Sequence, residues 1–120
     1  MSASWWTPCY ESIPEGEEVY NEWLDNDNVK IIHILDEIDQ PLSCEDWGNV
    51  GLAGIPSIIN GTSITDNSLL RNLFPPDPAS GALYPLTVFI NHEMQIEGIY
   101  HSALSKEDVD FLIQGMLDDM

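Results

Sequence analysis

Positive charge is what this sequence has least of. Lys30, Arg71 and Lys106 stand against 21 Asp and Glu residues, a formal net charge of -18. Such a chain repels phosphate backbones and anionic lipid surfaces, which argues against nucleic acid as a partner. The surplus reads first as a solubility device and only second as the mark of a basic partner. Cysteine is scarce too. Cys9 and Cys44 are too few for a disulfide framework, and no histidine lies at the spacing that would complete a zinc site. No apolar run approaches the roughly 18 residues of a membrane span, and the N-terminus lacks the basic and apolar regions of a signal peptide. There is no phosphate-cradling glycine loop, no Ser/His/Asp arrangement and nothing that calls for a cofactor. The cysteines alone do not settle the compartment.

What is present suits one α/β domain. The 120 residues, 43% of them apolar, are enough for a single core and too few for two. From Tyr10 to about Asn26, Ile13, Val19, Tyr20, Trp23 and Leu24 recur at helical spacing, predicting a helix kinked near Pro14. Val29–Leu35 is short, β-branched and nearly continuous in apolar residues, as a strand covered on both faces would be. Ile55–Ile59 reads as a shorter strand ending at Asn60-Gly61, and Ser68–Phe74 as a short helix stopped by Pro75 and Pro76. Pro85–Ile90 and Met94–Tyr100 flank a brief connection and predict an antiparallel hairpin, with Gly98 at a bulge. Ser105 and Asp108 form a capping pair ahead of the stripe Val109, Leu112, Ile113, Met116 and Leu117, so the chain closes on a helix docked to the sheet.

The element order, with Trp5, Trp6, Thr7, Pro8, Cys9, Glu11 and Pro14 at the first helix and Pro85, Thr87, Phe89 and Ile90 opening the hairpin, resembles the thioredoxin superfamily, most closely its TlpA-like redoxin branch. The resemblance spans residues 1–120. It implies a thioredoxin-like mixed sheet flanked by helices, and a cysteine pair of the form Cys-x-x-Cys. The first of that pair sits at a helix N-terminus, where unpaired amides and the dipole favour its thiolate, and the second resolves the mixed disulfide. It also implies a cis peptide at Tyr84-Pro85 facing the motif. Here Trp6 stands where the attacking thiol belongs, and Cys9 takes the resolving position. With no nucleophile in Trp6, the resemblance implies at most residual single-thiol exchange through Cys9. It further implies a central strand before the motif that this chain does not spell out. That leaves a late start relative to the family, closure of the two neighbouring strands, or a homo-oligomer formed by strand exchange. If a leading segment precedes Met1, the family points to an extracytoplasmic setting.

Trp5, Trp6, Thr7, Pro8, Tyr84 and Pro85 can alternatively form an aromatic groove for a peptide or protein partner without sulfur chemistry, though Trp5 and Trp6 equally suit plain packing. A third reading follows from codon chemistry: tryptophan, cysteine and selenocysteine codons differ by single bases, so Trp6 can stand in for a lost nucleophile. Cys44 reads as a half-buried free thiol at a helix start rather than a bridge to Cys9. His33 reads as a packed, hydrogen-bonded strand residue, and His92 and His101 as surface groups near the hairpin. Asp25 and Asp27 lack the glycine and glutamate of a calcium loop, and Asp36, Glu37 and Asp39 read as a charged loop. Asn60-Gly61-Thr62 is formally a glycosylation sequon.

Overall fold

A strand exists only where a partner reaches it, and in this chain partners decide the boundaries. The computed structural model describes residues 1–36, 41–50, 58–60 and 72–120, with backbone alone for Cys44 and residues 58–60. In chain order the elements are β1 (Ser2–Ala3), α1 (Thr7–Glu11), α2 (Ile13–Trp23), β2 (His33–Asp36), α3 (Cys44–Gly48), β3 (Ile58–Asn60), β4 (Thr87–Ile90), β5 (Ile96–Tyr100) and α4 (Lys106–Asp118). β1, β2 and β3 form a parallel sheet in that order, with Ser2 opposite Leu35 and His33 opposite Ile58. β4 and β5 pair antiparallel, Thr87 opposite Tyr100. The chain is thus an α/β fold with both parallel and antiparallel pairing. Among the described residues no helix is long and apolar enough to cross a membrane.

The N-terminus corrects one expectation. The strand before the tryptophan pair, expected to be missing, is present as the two residues of β1. Met1 extends its line: its amino group donates to the Leu86 carbonyl at 2.5 Å, and the Leu86 N–H donates to the Met1 carbonyl at 2.9 Å. A Met-Ser-Ala stub has no readable periodicity of its own. Its extended form comes from neighbours on both sides, which are 33 and 85 residues away in the chain.

The expected single helix is two. α1 begins at Thr7, three residues earlier than the apolar spacing suggests, and Ser12 separates it from α2. Pro8 and Pro14 both fall in a first turn, where a missing amide removes no intrahelical bond. The Ser12 hydroxyl donates back to the Cys9 carbonyl at 2.9 Å. Within the apolar run from Val29 the strand itself begins at His33, which lies opposite Ile58. Of the strand expected over 55–59, residues 58 and 59 lie in β3 and the rest is outside the described residues. The same holds for residues 68–71 of the expected short helix, while 72 and 73 are helical. α3, which the sequence shows only as a helix start, is capped by the Ser43 hydroxyl, which accepts from the Asp46 N–H at 3.1 Å.

The hairpin and last helix follow their local signals. Phe89 faces Gly98 but Ile90 faces Ile96, so Glu97 is the extra residue of a bulge beside Gly98. Ser105 caps α4, accepting from the Asp108 N–H at 3.2 Å and donating to its carboxylate at 2.7 Å. Three contacts fasten α4 to α2: the Lys106 N–H donates to Glu15 at 2.9 Å, the Trp23 indole N–H to Asp110 at 2.8 Å, and the Lys106 ammonium lies 3.9 Å from Glu22. The same ammonium donates to Asp110, which holds its pKa above the usual lysine value. Two buried clusters result: Ala3, Cys9, Ile13, Leu35, Trp47 and Tyr84 at one end, and Val19, Phe89 and Ile113 at the other.

Gly98 permits the close approach of Tyr100. A Cβ added there would lie 2.7 Å from the Tyr100 ring, which packs edge-on against Phe89 at a centroid distance of 5.8 Å. Gly98→Ala is therefore expected to displace that ring and cost about 1–3 kcal/mol, measured as a lowered urea midpoint at unchanged slope. A loss within about 0.5 kcal/mol would show that the contact is not tight.

Candidate functional site

The residues singled out at the motif converge, with the sulfur inside and the indoles outside. After β1 the chain turns through Trp5 and Trp6, the Trp6 N–H donating to the Ala3 carbonyl at 3.2 Å. Trp6 is the N-cap of α1, extended at φ -101° and ψ 112°, and its side chain makes no capping bond. An indole cannot accept the first-turn amides as a hydroxyl, carboxylate or thiolate would. The Cys9 N–H turns instead to the Trp6 carbonyl at 2.9 Å. Thr7 is exposed and Pro8 half-buried.

Cys9 is a free thiol, only 1% exposed, enclosed by the cluster that holds Leu35, Trp47 and Tyr84. Burial pushes its pKa up, against weaker downward pulls from the Ala3 backbone and the Met1 ammonium. A neutral, enclosed thiol is a poor nucleophile, because the thiolate is the attacking species. The aromatics are the accessible part: Trp5 is 49% and Trp6 41% exposed. Their rings meet at 5.7 Å and 67°, and Trp5 meets the buried ring of Tyr84 at 6.0 Å and 88°, both edge-to-face arrangements. The Tyr84-Pro85 peptide is cis, as the resemblance implied. Trp5, Trp6, Cys9 and Tyr84 are thus brought into one neighbourhood with Pro85 beside them.

Asp36 was missed. Read as part of a charged loop, it is the last residue of β2, 1% exposed, and accepts a hydrogen bond from the Tyr84 hydroxyl. The available signal was its position ending an apolar run, where solvent is already excluded. Glu37 and Asp39 lie outside the described residues, as does the side chain of Cys44. His33 is a packed residue. Its Nε2 accepts from the indole N–H of the fully buried Trp47 at 3.2 Å and meets the Ser2 hydroxyl. Burial, with the nearby Met1 ammonium second, lowers its pKa to about 4. Burial also brings the Met1 amino group down to about 6, opposed by Cys9 and Asp36. His92 is exposed, but His101 is only partly so, with an enclosed Nδ1 that has no hydrogen-bond partner among the described residues. Among those residues no group of three or more His, Cys, Asp or Glu side chains is placed to hold a metal.

Two outcomes follow from these environments. In a Cys44→Ser background, Cys9 should resist iodoacetamide at pH 8 under native conditions and react fully in urea; rapid native alkylation would contradict its enclosure. His33 takes up a proton in the unfolded chain below its usual pKa of about 6.5, and in the folded chain only near 4. Its contribution is therefore complete above pH 6.5 and is lost as pH falls through about 4, a decline of about 3 kcal/mol over that window. Urea titrations at pH 7 and 4.5 should show the decline, and His33→Gln should flatten it. Comparison of the chain with protein families, with characterised proteins and with solved structures yields no match.

Proposed function

We propose that this chain is a thioredoxin-like protein related to thiol-disulfide oxidoreductases that has given up the dithiol cycle. It acts as a non-catalytic module that holds a peptide or protein segment against Trp5, Trp6, Tyr84 and Pro85. One contrast carries the reading: the single motif sulfur is 1% exposed, whereas the two motif indoles are 49% and 41% exposed. Exchange chemistry needs the sulfur outside and ionised, and neither condition holds. Binding needs large, rigid, accessible apolar area, which the tryptophan pair supplies with little rotamer freedom to lose. Tyr84 supports Trp5 from below and is itself held by its bond to Asp36, so the surface is backed by fixed groups rather than mobile ones.

The test uses reduced, carboxymethylated insulin B chain as the probe polypeptide, followed by tryptophan emission. Trp5→Ala and Trp6→Ala should each weaken its binding roughly tenfold or more, the scale of an aromatic anchor. Disulfide reduction assays of the unsubstituted protein should show no turnover. Turnover that disappears in Cys9→Ser would overturn the reading in favour of residual single-thiol exchange. In Trp6→Cys, a large gain in disulfide reduction would support the relationship to oxidoreductases, and no gain would count against it.

A further inference from the structure

The hairpin departs from the usual pattern of a sheet with one wet face. Phe89 turns to α2 and α4, where it packs in one cluster with Val19 and Ile113. Side chains alternate along a strand, so Val88 and Ile90 turn the other way, and so do the residues opposite them on β5, Ile99 and Ile96. An antiparallel sheet with a solvated outer face carries polar residues there. Ile96 and Ile99 are instead apolar, and they are 52% and 43% exposed. Val88 and Ile90 border the cavity beside β4, whereas Ile96 and Ile99 do not line it, so their exposure does not come from that space.

The end of the hairpin adds a third apolar group. Met94 is 81% exposed and holds φ at 63°, a left-handed conformation that glycine or asparagine adopts at lower cost. Its turn is fixed by Asn91, whose side-chain carbonyl accepts from the Glu93 N–H at 3.0 Å and the Gln95 N–H at 2.9 Å. So exposed a side chain contributes little packing to the fold in return for the strain. To a docked partner it offers an apolar contact that adapts to the partner's shape.

The charge around these residues is of one sign. Glu93 precedes Met94, and Glu97, the extra residue of the bulge, lies between Ile96 and Ile99; both are exposed, and neither forms an ion pair among the described residues. Lys30 and His92 line the cavity on the other side of β4, and Lys106 is bound to Asp110. A second copy of the chain, at -18 like the first, is repelled from this face, and a basic partner is drawn to it.

We propose that the outer face of β5, with Ile96, Ile99 and Met94 as anchors and Glu93 and Glu97 as its charged rim, docks a basic amphipathic helix of a partner protein. A sheet face that presents side chains is covered by the apolar stripe of a helix. From Ile96 to Ile99 is about 10 Å of strand, which two helical turns, about 11 Å, would span. Lysine or arginine beside the stripe then meets Glu93 and Glu97. The proposal does not depend on the role of the Trp5–Trp6 surface.

The probe is the capped peptide acetyl-Leu-Lys-Lys-Leu-Leu-Lys-Lys-Leu-Leu-Lys-Lys-Leu-amide, added to the full chain and followed by methyl NMR. Saturable binding should shift the Ile96, Ile99 and Met94 methyl signals. Ile96→Thr and Ile99→Thr keep a β-branched side chain, so both should fold, by circular dichroism, and bind roughly tenfold more weakly. Met94→Asn should act with opposite signs, raising the urea midpoint by relieving the left-handed strain while weakening binding roughly tenfold. Phe111→Ala, which removes an exposed ring from α4, should bind as the unsubstituted chain does. A probe with Glu in place of Lys, or with Pro at its centre, should not bind. Absence of binding, unchanged affinity in the Ile96, Ile99 and Met94 variants, an equal loss in Phe111→Ala, equal binding of either altered probe, or shifts confined to the Trp5–Trp6 turn would each overturn the proposal. A concentration-dependent dimer that shifts the same methyl signals without probe would overturn it in favour of a second copy of this chain.

Discussion

The pair of backbone hydrogen bonds between Met1 and Leu86 is the join on which this architecture depends. β1, β2 and β3 make one sheet and β4 with β5 another, and the described backbone bonds link the two across this single residue pair. Parallel strands need such help, because each brings long stretches of intervening chain and no tight turn to hold it in register. With the join in place, Ala3, Leu35 and Tyr84 pack in one cluster, and Trp47 closes over it with its indole N–H directed at His33. The fold is closely packed around the start of α1, and a cavity lined by Val29, Ile31, Val88 and Phe89 lies between the segment leading into β2 and β4.

That distribution explains why the motif cysteine is buried and its tryptophan neighbours are not. Ser2 and Ala3 are held inside the sheet, so the turn at Trp5 and Trp6 must bring the chain out before α1 brings it back. Cys9 is one turn into that return and faces the cluster. Its environment is that of a small apolar side chain, and the raised thiol pKa is the electrostatic expression of the same enclosure. Trp6, at the cap, lies where the path is still outside. The sulfur and the accessible surface thus fall on different residues three positions apart.

What could be read from the chain alone was whatever rests on local chemistry. Ser105 with Asp108 announces α4 because cap and amphipathic stripe lie within one dozen residues, and the hairpin is announced by its alternation and by Gly98. Pairing across long separations was hidden. β1 is two residues whose partners lie far along the chain, and Asp36 looks like any acid in an acidic chain until the hydroxyl of Tyr84, 48 residues on, is found bonded to it. Trp47 was hidden for the same reason: a lone aromatic in a polar stretch becomes a core residue only through Tyr10, which meets it edge-on at 4.9 Å, and through His33. The aromatic pair at Trp5 and Trp6 was legible as a feature, and its exposure was not, since that depends on how β1 is held.

Lys106 shows what so one-sided a charge balance means for the chain's response to its medium. It is one of three cations, and it sits between Glu22 on α2 and Asp110 on its own helix. Dissolved electrolyte would weaken this half-buried ion pair slightly, but would also damp the mutual repulsion of some twenty carboxylates, whose summed field is far larger. The balance favours cohesion in brine over cohesion in dilute buffer, so the helix clamp around Lys106 is a minor local attraction in a molecule that counterions hold together more effectively than its own cations do.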